Sequence, residues 1–269
     1  MSSSTEWSVL AVEIGSGEVL LETAPDLLLP TASVGKLFLL HHLAELLDDD
    51  PSLARRMLRK DSVAPVADSG LWQHLDAPAL TVADCARLVG AVSDNLATNV
   101  LLDHVGLAPV QAVAARSAPG GSMLNDVVRD VRAPEDPPML SIGCAADWVH
   151  YFRTPHPTVL SWLAPSTDLS MVSSAFGLDP LAHAEPVPAG PADALQVWSK
   201  TGTDDGVRAE VGLLEVDGRR AAYAVICRFE GEVVPVLRRM REYGTLLLDA
   251  LRDGGSGLEA YDPGPGPAR

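Results

Sequence analysis

The stretch TASVGKLFLL, residues 31–40, decides how the chain is read. It contains Lys36, one of three lysines in a chain whose other seventeen basic residues are arginine. The apolar spacing of SVGKLFLLHHLAELLDDD (33–50) is helical, with Ser33 near the helix N-terminus. Ser33 and Lys36 are three positions apart and so share a helix face. Arginine keeps its proton in a protein, whereas a lysine whose surroundings disfavour charge can give it up. A neutral amine at Lys36 can accept the Ser33 hydroxyl proton, and a helix N-terminus favours the negative charge that develops. Ser33-Val34-Gly35-Lys36 therefore reads as a nucleophile and its base. For an isolated S-x-x-K the better reading is an exposed helix lysine, so the rest of the chain has to decide.

Two further tripeptides change the balance. Ser93-Asp94-Asn95 lies sixty residues on, between one predicted helix and the next. Lys200-Thr201-Gly202 ends a predicted strand. Two of the three lysines thus fall in motifs, and only Lys60, in LARRMLRKD, reads as an ordinary surface residue.

Outward from these motifs, WSVLAVEI and EVLLETAP alternate around GSG and predict a hairpin over 7–14 and 18–24. Helices are predicted over 81–92, 96–105, 109–117 and 144–153, with Thr81 and Asp84 as a capping pair. Residues 118–143 and 177–191 are rich in proline and glycine and read as irregular. Near the C-terminus LQVWSKTG, VRAEVGLLEV and RAAYAVICRF predict three strands, and VVPVLRRMREYGTLLLDALRDG an amphipathic helix. Strands at both ends around a helical middle predict an α+β fold: an antiparallel sheet built from both termini and flanked by helices, with an all-helical lobe inserted. The expected division is 1–31 with 178–253 for the sheet lobe and 32–177 for the helical lobe. Residues 254–269, GGSGLEAYDPGPGPAR, read as a disordered tail.

Composition narrows the function. With 269 residues, 47% of them hydrophobic, the chain has ample material for a core. A net charge of −16 argues against nucleic acid and anionic membranes as partners. Cys85, Cys144 and Cys227 are odd in number and far apart, which predicts neither a disulfide framework nor a zinc site. His41 and His42 are helix neighbours that point apart, so no metal is expected there. The N-terminal MSSSTEWSVLAVEIGSG lacks a basic region followed by a long apolar run, from which a cytoplasmic protein is expected.

S-x-x-K, S-D-N and K-T-G in this order resemble the signature of class A serine β-lactamases and related penicillin-binding proteins. LLPTASVGKLFLL, LTVADCARLVGAVSDNLATNVLLDHVG and WSKTGTDDGVRAEVGLL resemble that family's nucleophile segment, its S-D-N helices and its active-site strand. The likeness runs from about residue 7 to 252. It implies a β-lactamase/transpeptidase-like fold and roles by position. Ser33 would be acylated, with Lys36 as its base. Ser93 would relay a proton to the leaving nitrogen, and Asn95 would hold Lys36 and the substrate amide. Lys200, Thr201 and Gly202 would receive a substrate carboxylate, with Arg208 as a second contact. The N–H groups of Ser33 and Thr203 would form the oxyanion hole, a donor pair typically contributing about 3–4 kcal/mol each. Trp72, in DSGLWQHL, falls where the family has a wall residue that stacks on substrate.

The likeness fails at one point. Class A β-lactamases carry E-P-E-L-N, whose first Glu activates the deacylating water, and here the region reads SMLNDVVRDVRAPEDPPMLSIG. Counting from S-D-N puts Val127 or Val128 at that place. Glu135, with Asp126 and Asp130 nearer in count, would be a base only if the loop is rebuilt. The resemblance therefore implies a serine hydrolase that opens a β-lactam or related amide or ester through acyl-Ser33 and deacylates slowly. Its expected substrate is a small carboxylate-bearing molecule, with no cofactor and a monomeric protein. Two alternatives remain open: an intracellular esterase or biosynthetic acyl-hydrolase on the same fold, and a penicillin-binding-like sensor that does not turn over.

Overall fold

A computed structural model describes residues 5–184, 187–188 and 194–253. The tail expected to be disordered lies outside them. The chain begins with the predicted hairpin, β1 (Glu6–Glu13) and β2 (Val19–Thr23), then β3 (Leu29–Pro30). A single 3-10 turn, Ala32–Gly35, leads into α1 (Lys36–Asp49). There follow β4 (Met57–Arg59), β5 (Ala79–Thr81), α2 (Val82–Val92), α3 (Asn95–Val105), α4 (Leu107–Ser117), β6 (Met123–Leu124) and β7 (Ser141–Gly143). Then come α5 (Ala145–Arg153), α6 (Pro157–Leu163), β8 (Val187–Pro188), β9 (Ala194–Asp204), β10 (Val207–Val216), β11 (Arg219–Arg228) and α7 (Val233–Asp253). No helix among the described residues is long and apolar enough to cross a membrane.

The main sheet runs β2-β1-β11-β10-β9-β8, antiparallel throughout. Its N-terminal hairpin joins its C-terminal strands where β1 pairs with β11, Trp7 opposite Cys227. Residues 221–227 of β11, AAYAVIC, are buried on both sides, as a central strand requires. The period of two divides them. Ala222, Ala224 and Ile226 join Ala209, Val211 and Leu213 of β10 under the helical side, where α5 lies against β11, β10 and β1. Ala221, Tyr223, Val225 and Cys227 face α7.

Helix α7 presents Val236, Met240, Tyr243, Leu247 and Leu251 to that second core, at the spacing of one helix face. It carries Gly244 because the helix packs closely on a 3-10 turn at Val172–Phe176. A Cβ at residue 244 would stand 2.2 Å from the Val172 carbonyl oxygen.

Several short elements were not predicted. Strands β4 and β5 form a two-stranded ribbon, and β6 and β7, inside the segment read as irregular, join β3 in a small sheet. Strands of two or three residues are too short to show a period. Helix α6 is set by Pro157 in its first turn and by His156 Nδ1, which accepts the Thr158 N–H at 3.2 Å. Lys60 is not an ordinary surface residue. Its Nζ donates to the carbonyls of Trp72 (2.7 Å), Leu75 (2.8 Å) and Gln73 (3.4 Å), tying a turn with the three donors of an ammonium.

Gly244→Ala tests the α7 contact. The substitution should destabilise the protein by about 1–3 kcal/mol through overpacking, although alanine is the better helix former by about 1 kcal/mol. A urea midpoint equal to or above that of the wild type would show that the helix can move away from Val172 freely.

Candidate active site

The turn carrying Ser33 is held from below by β7 and from the side by β9. Ser141 accepts a hydrogen bond from the Thr31 hydroxyl (2.7 Å) and donates to the Ala32 carbonyl (2.5 Å). Ala32 lies at φ +47°, in the left-handed region, a strain of order 1–3 kcal/mol that only a rigid surround sustains. Two motif glycines make that surround possible. A Cβ at Gly35 would meet the Ser141 Cβ at 2.4 Å, and one at Gly202 would meet the Thr31 carbonyl oxygen at 2.1 Å. Gly202 thus lets β9 press against the nucleophile turn; its position in K-T-G follows from this close approach.

Lys36 is fully buried. Its Nζ contacts Asn95 Oδ1 at 2.7 Å, the Ser93 carbonyl at 2.8 Å and Ser93 Oγ at 3.3 Å. Burial first, and then the neighbouring Lys200, hold this amine well below the ordinary lysine range, while Asp94 and Asp68 pull the other way. A neutral amine has two protons and one lone pair. In that form the two short contacts, to oxygens that only accept, would take both protons and leave the lone pair for a hydroxyl.

Ser93 and Asn95 reach Lys36 because the chain reverses between α2 and α3. Ser93 caps α2 at φ +56°, and Asp94 caps α3 by accepting the Ala97 N–H at 2.8 Å. The second Asp94 oxygen accepts the N–H groups of Leu71 (2.7 Å) and Trp72 (2.8 Å), which fixes the 67–72 loop over the cleft. Asn95 Nδ2 donates to the Ala67 carbonyl at 3.0 Å.

Lys200 is 2% exposed, and its Nζ donates to the Thr201 carbonyl at 2.8 Å. Burial lowers it to about 8, with Asp168 opposing the shift. Two cavities meet at Ser33, and Ser69 and Thr203 also line both. The smaller, about 130 Å³, is walled by Ser93, Lys200, Thr201 and Asp168. The larger, about 470 Å³, is walled by Asn95, Asp68, Val128 and Asp130. Beyond β8, which pairs only with Ala194 and Leu195, β9 has no strand on its outer side among the described residues. Cys85 and Cys227 are buried and their thiols pushed up to about 12, so neither competes as a nucleophile.

The fold therefore brings Ser33, Lys36, Ser93, Asn95, Lys200, Thr201, Gly202 and Thr203 together, and leaves three expected residues out. Trp72 is fully buried in the core, with Nε1 donating to the Ala77 carbonyl at 2.9 Å, so it cannot stack on a substrate. Arg208 turns its Nη1 onto the carbonyls of Asp204 (2.9 Å) and Val207 (2.6 Å) and lies over the Phe229 ring, outside both cavities. Glu135 is exposed and lines neither cavity. Of the nearer acids, Asp126 is paired with Arg129 and Arg132, each at 2.7 Å. Asp130 is turned to the Ala67 N–H, at 2.9 and 3.3 Å from its two oxygens. Val128 takes the wall position. Asn99 clips it from both sides, accepting its N–H and donating to its carbonyl, each at 2.8 Å. Sequence reasoning missed Asp68, Ser69 and Asp168, which lie in loops where no period marks them.

The profile of the Beta-lactamase enzyme family matches residues 1–232. Among solved structures, the chain is similar to a β-lactamase from Sphaerobacter thermophilus, with 22% identity, a TM-score of 0.74, and 96% of this chain and 94% of that one covered. It is similar to the class A β-lactamase of Mycobacterium abscessus at 17% identity and TM-score 0.72, covering 92% and 94%. It is also similar to a mutant of PBP-A captured as an acyl-enzyme with penicillin G, at 17% identity and TM-score 0.73, covering 93% and 91%. Among curated proteins no significant match is found.

The geometry at Lys36 makes a prediction that separates charge from basicity. Lys36→Arg should slow acylation of Ser33 about as much as Lys36→Ala, by about 10²- to 10⁴-fold, because arginine cannot take the proton. Acylation followed by intact-protein mass spectrometry reads this directly. A Lys36→Arg protein that acylates at the wild-type rate would make the lysine merely electrostatic.

Proposed function

Because this chain belongs to the β-lactamase enzyme family, we propose that it is a serine hydrolase that opens a cyclic amide or related ester through an acyl-Ser33 intermediate and releases the acyl group slowly. The observation that carries this reading is the buried Lys36 amine, one turn after Ser33 and held by Ser93 and Asn95. Ser33 Oγ attacks the carbonyl carbon as Lys36 takes its proton. The proton returns through Ser93 to the leaving nitrogen or oxygen as that bond breaks. The Ser33 and Thr203 N–H groups carry the oxyanion. The resemblance to an acylated PBP-A mutant supports penicillin as a probe.

Slow release follows from what stands beside the ester. The family's general base would occupy the wall that Val128 fills, and a methyl-bearing side chain cannot activate water. Asp130, on the same wall, is turned to a backbone N–H. Hydrolysis of the acyl-enzyme thus proceeds without a general base at the place where the family carries one.

Burst kinetics test this reading. With a reactive ester whose leaving group is uncharged, one equivalent of product should appear quickly, followed by a slow steady rate, and Ser33→Ala should abolish both phases and the covalent adduct. Val128→Glu should speed the steady phase by about 10²-fold or more, while Glu135→Gln leaves both phases unchanged. Rapid turnover without a burst in the wild type would refute slow release, and an adduct that survives Ser33→Ala would refute the nucleophile.

A further inference from the structure

The smaller cavity is the one into which Ser93 faces, so in the acyl-Ser33 reading, on which this inference rests, it receives the leaving group. Its charges can be counted. Among the described residues, Lys200 is the one cationic wall residue of this cavity, and burial holds the neighbouring Lys36 amine well below the ordinary lysine range. Asp168 shares the cavity with Lys200, and its charge acts on that lysine. Asp168 Oδ1 is fixed by the N–H (3.2 Å) and hydroxyl (2.6 Å) of Ser170. The arginine of the neighbouring strand does not help: Arg208 is turned onto backbone carbonyls outside the cavity. Opposite Thr201 on β10 stands Glu210, fully buried, with its carboxyl bonded by Ser173 and Tyr223. A carboxylate entering this space would lose its water and meet Asp168 on the same wall as Lys200.

We propose that Asp168 makes the leaving-group side of the cleft select against negative charge, so that neutral esters or amides acylate Ser33 faster than substrates with a carboxylate on the leaving group. The selection is by repulsion as much as by fit, since a like charge fixed in a small cavity penalises the wrong substrate. This departs from the carboxylate-bearing substrate expected from K-T-G alone. Asp168 acts on specificity; it takes no proton in the reaction.

Two esters of phenylacetylglycine decide the matter, one leaving as phenol and the other as 3-hydroxybenzoate. Both give the same acyl-Ser33, so they differ only in the group that occupies the smaller cavity. The wild-type protein should show a kcat/KM for the phenyl ester about tenfold or more above that for the carboxylated ester. Asp168→Asn, which keeps the shape and the bond to Ser170, should shift that ratio by about tenfold toward the carboxylated ester. Asp205→Asn removes the same charge from the exposed hairpin tip and should shift the ratio less than about twofold. A wild-type preference for the carboxylated ester, an unmoved ratio in Asp168→Asn, or an equal shift in Asp205→Asn would overturn the proposal. If mass spectrometry finds no Ser33 adduct from either ester, the acyl-Ser33 reading itself falls, and the inference falls with it.

Discussion

An amine buried among neutral oxygens is the constraint on which the rest of this structure depends. Lys36 is offered the Ser93 carbonyl, the Ser93 hydroxyl and the Asn95 amide oxygen in place of a carboxylate. Burying a charge on such partners is costly, and this holds the amine well below the ordinary lysine range. The arrangement works only if three separate stretches of chain are held still. Helix α1 begins at Lys36 itself, α2 ends on a left-handed Ser93, and α3 starts from the Asp94 cap. Asp94 faces away from Lys36 and grips the loop at Leu71 and Trp72, so the tripeptide builds the site with two residues and anchors it with the third.

A second constraint is the closeness of β9 to the nucleophile turn. Gly202 and Gly35 leave room for backbone where any side chain would collide, and Ser141 joins the Thr31 hydroxyl to the Ala32 carbonyl. The left-handed Ala32 is the cost of presenting Ser33 at the meeting point of two cavities. The Asn99 clip on Val128 shows the same economy on the far wall, fixing a residue by its backbone whatever side chain it carries.

Much of this was legible in the sequence because it is local or periodic. The long strands and helices show their periods, and S-x-x-K, S-D-N and K-T-G each fold as one short unit. What was not legible depends on distant neighbours. Lys60 looks like surface until the carbonyls of Trp72, Gln73 and Leu75 come to meet it. The resemblance sets Trp72 at the wall of the cleft, yet Asp94 grips its N–H and the indole is buried in the core. Arg208 sits near the site in sequence, but the hairpin turn offers its guanidinium nearer carbonyls. Asp168 reaches the cleft from a loop after α6, a helix that the sequence did not announce.

The pairing of β1 with β11 also sets the order in which the molecule can be made. Trp7 meets Cys227, 220 positions later in the chain. At a synthesis rate of about 5–20 residues per second, the first hairpin waits on the order of ten to forty seconds for its partner strand. During that time its inner edge offers unpaired N–H and C=O groups to any other chain. The helices between can gather around α1 first, but the surface on which α5 finally rests does not exist until the last strands emerge. A nascent chain of this protein is therefore most open to mispairing at its oldest end, and a chaperone that shields residues 6–23 would protect the folding of the whole.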